Sequence, residues 1–174
     1  MHRLFEFVDL LLRFLERGGP VLAAILVLSI VLWILILERY QNLYVTFPRK
    51  RQAIINQWQR RQDRSSWHAR RIREGMVAEI GVSLRRFLLP IAALTIVLPL
   101  LGLLGTVTGM ITTFEVMMVY GTENARGMAA GISQALLTTA AGLVTSLAGL
   151  YFSSNLENRA KVEIQKASDL LVYH

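Results

Sequence analysis

The chain has 174 residues, of which 53% are hydrophobic and only 18% charged, and its formal net charge is +7. It contains no cysteine, which excludes a disulfide framework, a thiolate metal site and a thiol nucleophile. Uncharged stretches at 18–37, 87–114 and 127–156 are each long enough to cross a bilayer, which excludes a soluble domain.

Residues 1–17 carry apolar side chains at helical spacing, with charged residues on the opposite face. This pattern predicts an amphipathic helix that lies along the outer surface of the membrane. We expect Gly18-Gly19-Pro20 to break that helix and to begin the first crossing, over 18–38. This crossing does not resemble a cleavable signal peptide, because its end offers no small-residue cleavage site. The apolar positions of the amphipathic face are Leu4, Phe5, Val8, Leu11, Leu12 and Leu15.

Residues 39–86 form a basic segment, which we expect to be helical and cytoplasmic. Residues 38–86 hold 12 Lys/Arg against four Asp/Glu, and basic loops remain on the cytoplasmic side. We interpret the charge as a topology signal that also contacts anionic lipids, and not as a nucleic-acid site. Thr46-Phe47-Pro48 predicts a turn or helix start, and 63–66 a joint between helices. From Ala69 onward, a four-residue apolar repeat predicts one helix that runs unbroken into the second crossing.

The second crossing is expected at 87–114, a periplasmic connector at 115–126 and the third crossing at 127–155. A cytoplasmic helix at 156–174 should continue the third crossing; a frayed, solvated tail is the alternative. The sequence thus predicts an all-α membrane protein with three transmembrane helices, N-out and C-in, and with helices two and three extended into the cytoplasm.

The second and third crossings are rich in Gly, Ala, Ser and Thr, which lipid-facing helices do not require. With the turn centred near residue 120, Gly102 should lie at the depth of Thr139 and Thr106 at that of Gln134. We expect polar side chains to face a shared interior or a partner at Thr106, Thr113, Gln134, Thr138, Thr139 and Thr145. We expect close helix packing at Gly102, Gly105, Gly109, Gly131 and Gly142. The alternative is that these residues only join helices within one subunit, with hydroxyls bonded to their own backbone.

The three uncharged stretches contain no Asp, Glu, Lys, Arg or His. A proton carrier needs a group that titrates, and Thr and Gln do not titrate near neutral pH. If the chain belongs to a proton-conducting device, a second protein must therefore supply the acid. The sequence carries no pattern typical of catalytic, cofactor or metal-binding residues, so we expect no enzyme, no cofactor and no metal.

Two motifs in the membrane resemble a known family. The segments Gly102–Gly109 (GLLGTVTG) and Gly131–Gly142 (GISQALLTTAAG) are similar to the MotA/TolQ/ExbB proton-channel family, and the likeness is greatest to the compact, second type of ExbB. Residues 18–20, 37–40 and 121–129 add to the resemblance.

The resemblance implies a homo-oligomeric ring, a pentamer in the best-known members, in the inner membrane of a Gram-negative bacterium. It implies that the second and third crossings line a pore holding a dimer of a single-span ExbD-like protein, which supplies an Asp. The proton motive force then drives a motion passed to a TonB-like protein, which energises outer-membrane transport. The family's pore threonines map onto Thr106 and Thr139, and a family Glu maps onto Gln134, which is an amide here. A TolQ-like stator for envelope maintenance and a non-conducting membrane scaffold are the alternatives.

Overall fold

The protein is an all-α membrane protein. The computed structural model describes residues 2–61 and 66–171, and all regular secondary structure in these residues is helical. Within this part of the chain, three helical stretches are long and apolar enough to cross a membrane, as predicted. The α-helices are α1 (His2–Gln41), α2 (Phe47–Gln59), α3 (Trp67–Arg85), α4 (Leu88–Tyr120) and α5 (Ala125–Leu170). A π-helical segment, Asn42–Thr46, joins α1 to α2.

Helix α1 is interrupted where the sequence predicts a break. Gly19 has φ 68° and ψ −167°, a conformation that a side chain would strain, and Pro20 starts the next helical turn. The predicted break at Gly18-Gly19-Pro20 is therefore confirmed. The amphipathic pattern of 1–17 rests partly on the side chains of Leu4, Val8 and Leu11, which the structure does not describe; Met1 and 172–174 lie outside the described residues altogether.

The prediction of one unbroken helix from Ala69 into the second crossing is wrong. Helix α3 ends at Arg85 and α4 begins at Leu88, with Phe87 between them at φ 63°. The reason lies in α1, where the buried Arg39 donates hydrogen bonds to the carbonyls of Ser83 (2.9 Å) and Leu84 (2.7 Å). In a continuous helix these carbonyls would accept from the backbone N–H groups four residues later. Arg39 satisfies them instead, so the chain can turn.

The helix–helix joint expected at 63–66 lies mostly outside the described residues, which include only Ser66 of this group. Ser66 caps α3, because its hydroxyl oxygen accepts from the backbone N–H of Ala69 at 3.2 Å. The predicted helix start near Thr46-Phe47-Pro48 is confirmed, with Pro48 in the first turn of α2, where no backbone N–H is required.

The third crossing continues past residue 156 as one helix, as predicted, and α5 extends over 46 residues to Leu170. The alternative of a frayed tail is therefore wrong up to this residue. Arg73 of α3 donates to the carbonyls of Leu171 (2.6 Å) and Ser168 (2.9 Å), which are acceptors at the C-terminal end of α5. These bonds hold the end of the helix in place.

The chain divides into two compact units. The first unit comprises 1–33 and 93–150, and the second comprises 34–92 and 151–174. In the first, segments of α1, α4 and α5 pack together, and the buried residues include Leu22, Ile25, Leu32, Leu98, Ala135 and Thr138. In the second, α2, α3 and the end of α5 bury two apolar clusters: Phe47, Ile80, Leu84, Ala160 and Ala167, and Trp58, Ala69, Met76 and Leu171.

Candidate functional site

Helices α4 and α5 form an antiparallel hairpin in the first unit. The turn depends on Gly121, whose φ of 72° favours glycine, and on Asn124, whose Oδ1 accepts from the backbone N–H of Gly127 at 3.1 Å. This cap starts α5 so that its residues run back along α4. The hairpin therefore brings the two small-residue motifs of the sequence side by side.

The backbones of α4 and α5 approach closely along a row of glycines. A Cβ added to Gly142 would lie 2.7 Å from the carbonyl oxygen of Leu98, and one on Gly109 would lie 2.8 Å from that of Gly131. A Cβ on Gly102 would lie 3.2 Å from the Cα of Thr139, which confirms the predicted depth match of these two residues. Because backbone atoms are the neighbours, larger residues here would force the helices apart.

Two of the six polar residues of interest lie inside the helix pair. Thr138 is fully buried and Thr113 is 7% exposed. Thr138 lies against Gly105, and Thr113 lies against Gly131. Each hydroxyl donates to a carbonyl of its own helix, Thr138 to Ala135 at 3.0 Å and Thr113 to Gly109 at 2.9 Å. These side chains fill the interface between α4 and α5.

The other four polar residues, Thr106, Gln134, Thr139 and Thr145, are partly exposed. The Thr139 hydroxyl lies within hydrogen-bond distance of two carbonyls, that of Gly102 on α4 (3.1 Å) and that of Ala135 on its own helix (3.0 Å). Thr106 lies one turn beyond Gly102 on α4, and its hydroxyl donates to the carbonyl of Leu103 at 2.6 Å. The two threonines that match the family motifs therefore flank one contact between the helices.

Gln134 lies next to the break in α1. Its Nε2 atom would be 2.5 Å from a Cβ built on Gly19. Among the side chains that the structure describes, its amide makes no hydrogen bond. An amide can hydrogen-bond a carboxylate or a protonated acid without carrying charge itself.

A second polar contact between α4 and α5, at Ser146, was not predicted from the sequence. The buried Ser146 hydroxyl donates to the carbonyl of Thr95 at 2.6 Å. Gly149 follows one turn later, where an added Cβ would lie 2.7 Å from Leu32 of α1 and 2.8 Å from Thr95. The signal was present, because Ser146 and Gly149 continue the spacing of four and three residues that starts at Gly142.

The hairpin carries polar groups among apolar ones, and no charge along 87–114 and 127–156. The uncharged stretches 87–114 and 127–156 place hydroxyl and amide groups on it, and the nearest charged residues flank them: Arg86 and Glu115 the first stretch, Arg126 and Glu157 the second. Among the described residues, no three His, Cys, Asp or Glu side chains are grouped as metal ligands. Such a surface can orient water or a partner's acid by hydrogen bonding.

These features define a multi-pass membrane protein with a neutral, hydroxyl-bearing helical hairpin. The model of the MotA/TolQ/ExbB proton channel family matches residues 47–169, which is more than two thirds of the chain. The chain belongs to this family, as the motifs of its second and third crossings predicted.

Two relatives come from Synechocystis sp. (strain ATCC 27184 / PCC 6803 / Kazusa), and both are named as ExbB-like biopolymer transport proteins. The chain is 42% identical to ExbB-like 3 over 73 residues, which are 41% of this chain and 35% of that protein. It is 49% identical to ExbB-like 1 over 55 residues, which are 30% of this chain and 22% of that protein. The chain therefore covers between a fifth and about a third of the length of these relatives.

Proposed function

We propose that this chain is an ExbB-like stator subunit in the inner membrane of a Gram-negative bacterium, with its N-terminus outside and its C-terminus inside. Several copies, most simply five, surround a pore that holds a dimer of a single-span ExbD-like partner. The assembly uses the proton motive force to move a TonB-like protein, which energises transport across the outer membrane.

The observation that carries this proposal is the combination of polar side chains with the absence of charge in residues 87–114 and 127–156 of the hairpin. Thr106 and Thr139 bring partly exposed hydroxyls to one contact between these helices, and Gln134 adds an amide. None of them titrates near neutral pH, so proton transfer requires an acid from another molecule. A single-span partner with an Asp in its membrane helix supplies that acid and explains why the surface is polar but neutral.

The hydrogen bonds of these threonines suggest how the surface acts on such an acid. Each hydroxyl proton is directed to a backbone carbonyl, so the hydroxyl oxygen is open to accept a bond from water or from a protonated carboxyl. If the hydroxyl rotates, it gives up the backbone bond and donates to a carboxylate. A hydrogen bond donated by a Thr hydroxyl favours the ionised form of the partner's acid, and contact with apolar side chains favours the protonated form. The acid therefore changes its protonation state as it moves past the hairpin.

We assign the partner-facing role first to the four partly exposed residues, Thr106, Gln134, Thr139 and Thr145. Thr113 and Thr138 are buried between α4 and α5 in this conformation. They can therefore influence a partner only indirectly, through the packing of the hairpin. The orientation of the chain is supported by the excess of Lys and Arg in 38–86.

The test is proton flux through the chain and its single-span partner, reconstituted together in liposomes that contain a pH-sensitive dye. Thr106→Val and Thr139→Val remove one hydroxyl each while keeping the shape of the side chain. We expect flux, and siderophore-dependent growth in cells, to be lost while the complex still assembles. Thr112→Val is the matched control, because Thr112 is exposed on α4 and lies about 120° around the helix from Thr106. Normal flux in the Thr106 and Thr139 variants would reject the proposal.

Native mass spectrometry of the chain, with and without a co-expressed partner carrying a membrane Asp, tests the ring. A ring that incorporates two partner helices supports the proposal, and a monomer contradicts it. A TolQ-like role would instead appear as a defect in envelope integrity, with uptake unaffected. A non-conducting scaffold would leave every phenotype unchanged when the proton gradient is dissipated.

A further inference from the structure

The second unit contains a cavity that the proposed proton pathway does not use. It has a volume of ≈ 660 Å³ and lies between the start of α2, the preceding π-helical segment and residues 155–166 of α5. Leu43, Phe47 and Val162 give it an apolar part. Its polar lining is Tyr44, Arg51, Asn155, Asn158, Arg159, Glu163 and Lys166. With three cations and one carboxylate among these groups, the lining carries an excess of positive charge.

The cations of this cavity are held in place by their neighbours. Glu163 binds Arg51 with one carboxylate oxygen (3.0 Å) and Lys166 with the other (2.9 Å). Arg159 donates to Oδ1 of Asn155 at 2.8 Å and to the hydroxyl of Tyr44, and its guanidinium lies 5.5 Å from the centre of the Tyr44 ring. The cavity is therefore organised before any ligand enters, which reduces the entropy lost on binding.

The donors of the cavity are only partly used. Within the described residues, Arg159 makes hydrogen bonds through two of its five N–H groups, and the guanidinium fork suits the oxygens of a phosphate. The buried Nε of Arg51 has no acceptor within this part of the chain.

Two polar residues of the cavity, Tyr44 and Arg159, lie near the depth of the lipid headgroups. The uncharged stretch of α1 ends at Leu37 and that of α5 ends at Leu156. At about 1.5 Å per residue, Tyr44 lies roughly 10 Å and Arg159 roughly 5 Å beyond these ends. The headgroup layer of a bilayer is about 5–8 Å deep on each side. Both residues therefore lie at, or just below, the level of lipid phosphates.

From this charge, preorganisation and depth, we infer that the cavity binds the phosphodiester headgroup of an anionic phospholipid. Arg159 contacts the phosphate, and Lys166, about two turns farther along α5, contacts the oxygens of the headgroup beyond it. This site requires that the chain crosses a membrane, but it does not depend on proton conduction. The site is also distinct from the general attraction of anionic lipids to the basic segment 39–86, since two of its three cations, Arg159 and Lys166, come from α5.

The test is native mass spectrometry of the purified full-length chain in a nonionic detergent. The chain is titrated with phosphatidylglycerol and, separately, with phosphatidylcholine of the same acyl chains. We expect phosphatidylglycerol to bind at least tenfold more tightly. Loss of one charge-assisted hydrogen bond in Arg159→Gln should weaken its binding by roughly tenfold or more. Lys166→Gln should act in the same direction.

Matched controls separate a built site from general charge. Arg71→Gln removes an equally positive, exposed arginine from α3, and Lys161→Gln removes a lysine from another face of α5. We expect both controls to bind phosphatidylglycerol within roughly twofold of the unaltered chain, because an exposed charge outside the cavity contributes little to binding. Circular dichroism should show unchanged helix content in all variants, because each of the altered side chains is largely exposed.

Three results would overturn the inference. Equal loss of lipid in Arg71→Gln and Arg159→Gln would indicate non-specific attraction. Displacement of phosphatidylglycerol by inorganic phosphate alone would indicate a site for a free anion. Loss of oligomers in Arg159→Gln, with lipid binding unchanged, would indicate that a second copy of the chain covers the cavity.

Discussion

The contact between Gly142 of α5 and the backbone of α4 gives the sharpest test of the hairpin. In Gly142→Ala, the new Cβ would lie 2.7 Å from the carbonyl oxygen of Leu98 and 3.1 Å from the Cα of Gly102. Carbon and oxygen atoms normally approach to about 3.3–3.6 Å, so the helices must separate locally by roughly 0.6–0.9 Å. Neither neighbour is a side chain that could rotate away.

This separation should also break the hydrogen bond between α4 and α5 one turn earlier. The Thr139 hydroxyl lies 3.1 Å from the carbonyl of Gly102, and a shift of this size would take it beyond hydrogen-bond distance. Overpacking typically destabilises a protein by about 1–3 kcal/mol, and a lost hydrogen bond adds about 0.5–1.5 kcal/mol. We expect Gly142→Ala to lower the free energy of unfolding by about 2 kcal/mol or more.

Gly75→Ala is the matched control, because a Cβ at Gly75 of α3 would meet no atom within 4 Å. There the substitution should stabilise the helix by about 0.5–1 kcal/mol through reduced backbone entropy. The assay is equilibrium unfolding in mixed detergent micelles, followed by circular dichroism. The two variants should shift the transition in opposite directions. A stabilised Gly142→Ala variant would refute the close backbone contact on which this estimate rests.

Three further substitutions test contacts on which the fold depends, each measured by the same unfolding assay. Arg39→Met should destabilise by about 3 kcal/mol, because the buried carbonyl of Leu84 and the partly buried carbonyl of Ser83 lose a charged donor. Ser146→Ala should destabilise by about 1 kcal/mol, because the carbonyl of Thr95 loses its 2.6 Å hydrogen bond. Asn124→Ala should also destabilise by about 1 kcal/mol, because the N–H of Gly127 loses its cap.

Each of these variants has a control of similar chemistry at an exposed position. Arg71→Met, Ser154→Ala and Thr122→Ala should each change the free energy of unfolding by less than about 0.5 kcal/mol. If Arg39→Met behaved like Arg71→Met, the account of the break between α3 and α4 would be wrong. Ser146→Ala and Asn124→Ala are judged in the same way against their own controls.

The sequence by itself determined the three apolar helices, the break at Gly19 and the glycine-rich hairpin. These features depend on local quantities: hydropathy over about 20 residues, the conformational range of glycine and proline, and helical spacing. The depth match of Gly102 and Thr139 was also predictable, because a short turn fixes the register of two straight helices. The family motifs lie in this hairpin, so they too could be recognised without a structure.

Only the tertiary structure decided which hydroxyls are buried and that α3 ends at Arg85. Thr138 and Thr139 are neighbours in sequence, yet the first is enclosed against Gly105 and the second reaches the edge of the helix pair. The break at Phe87 depends on Arg39, which is more than 40 residues away and replaces two backbone donors of the helix. A local pattern cannot contain such information, because a hydrogen bond from a distant helix changes which backbone conformation has the lower free energy.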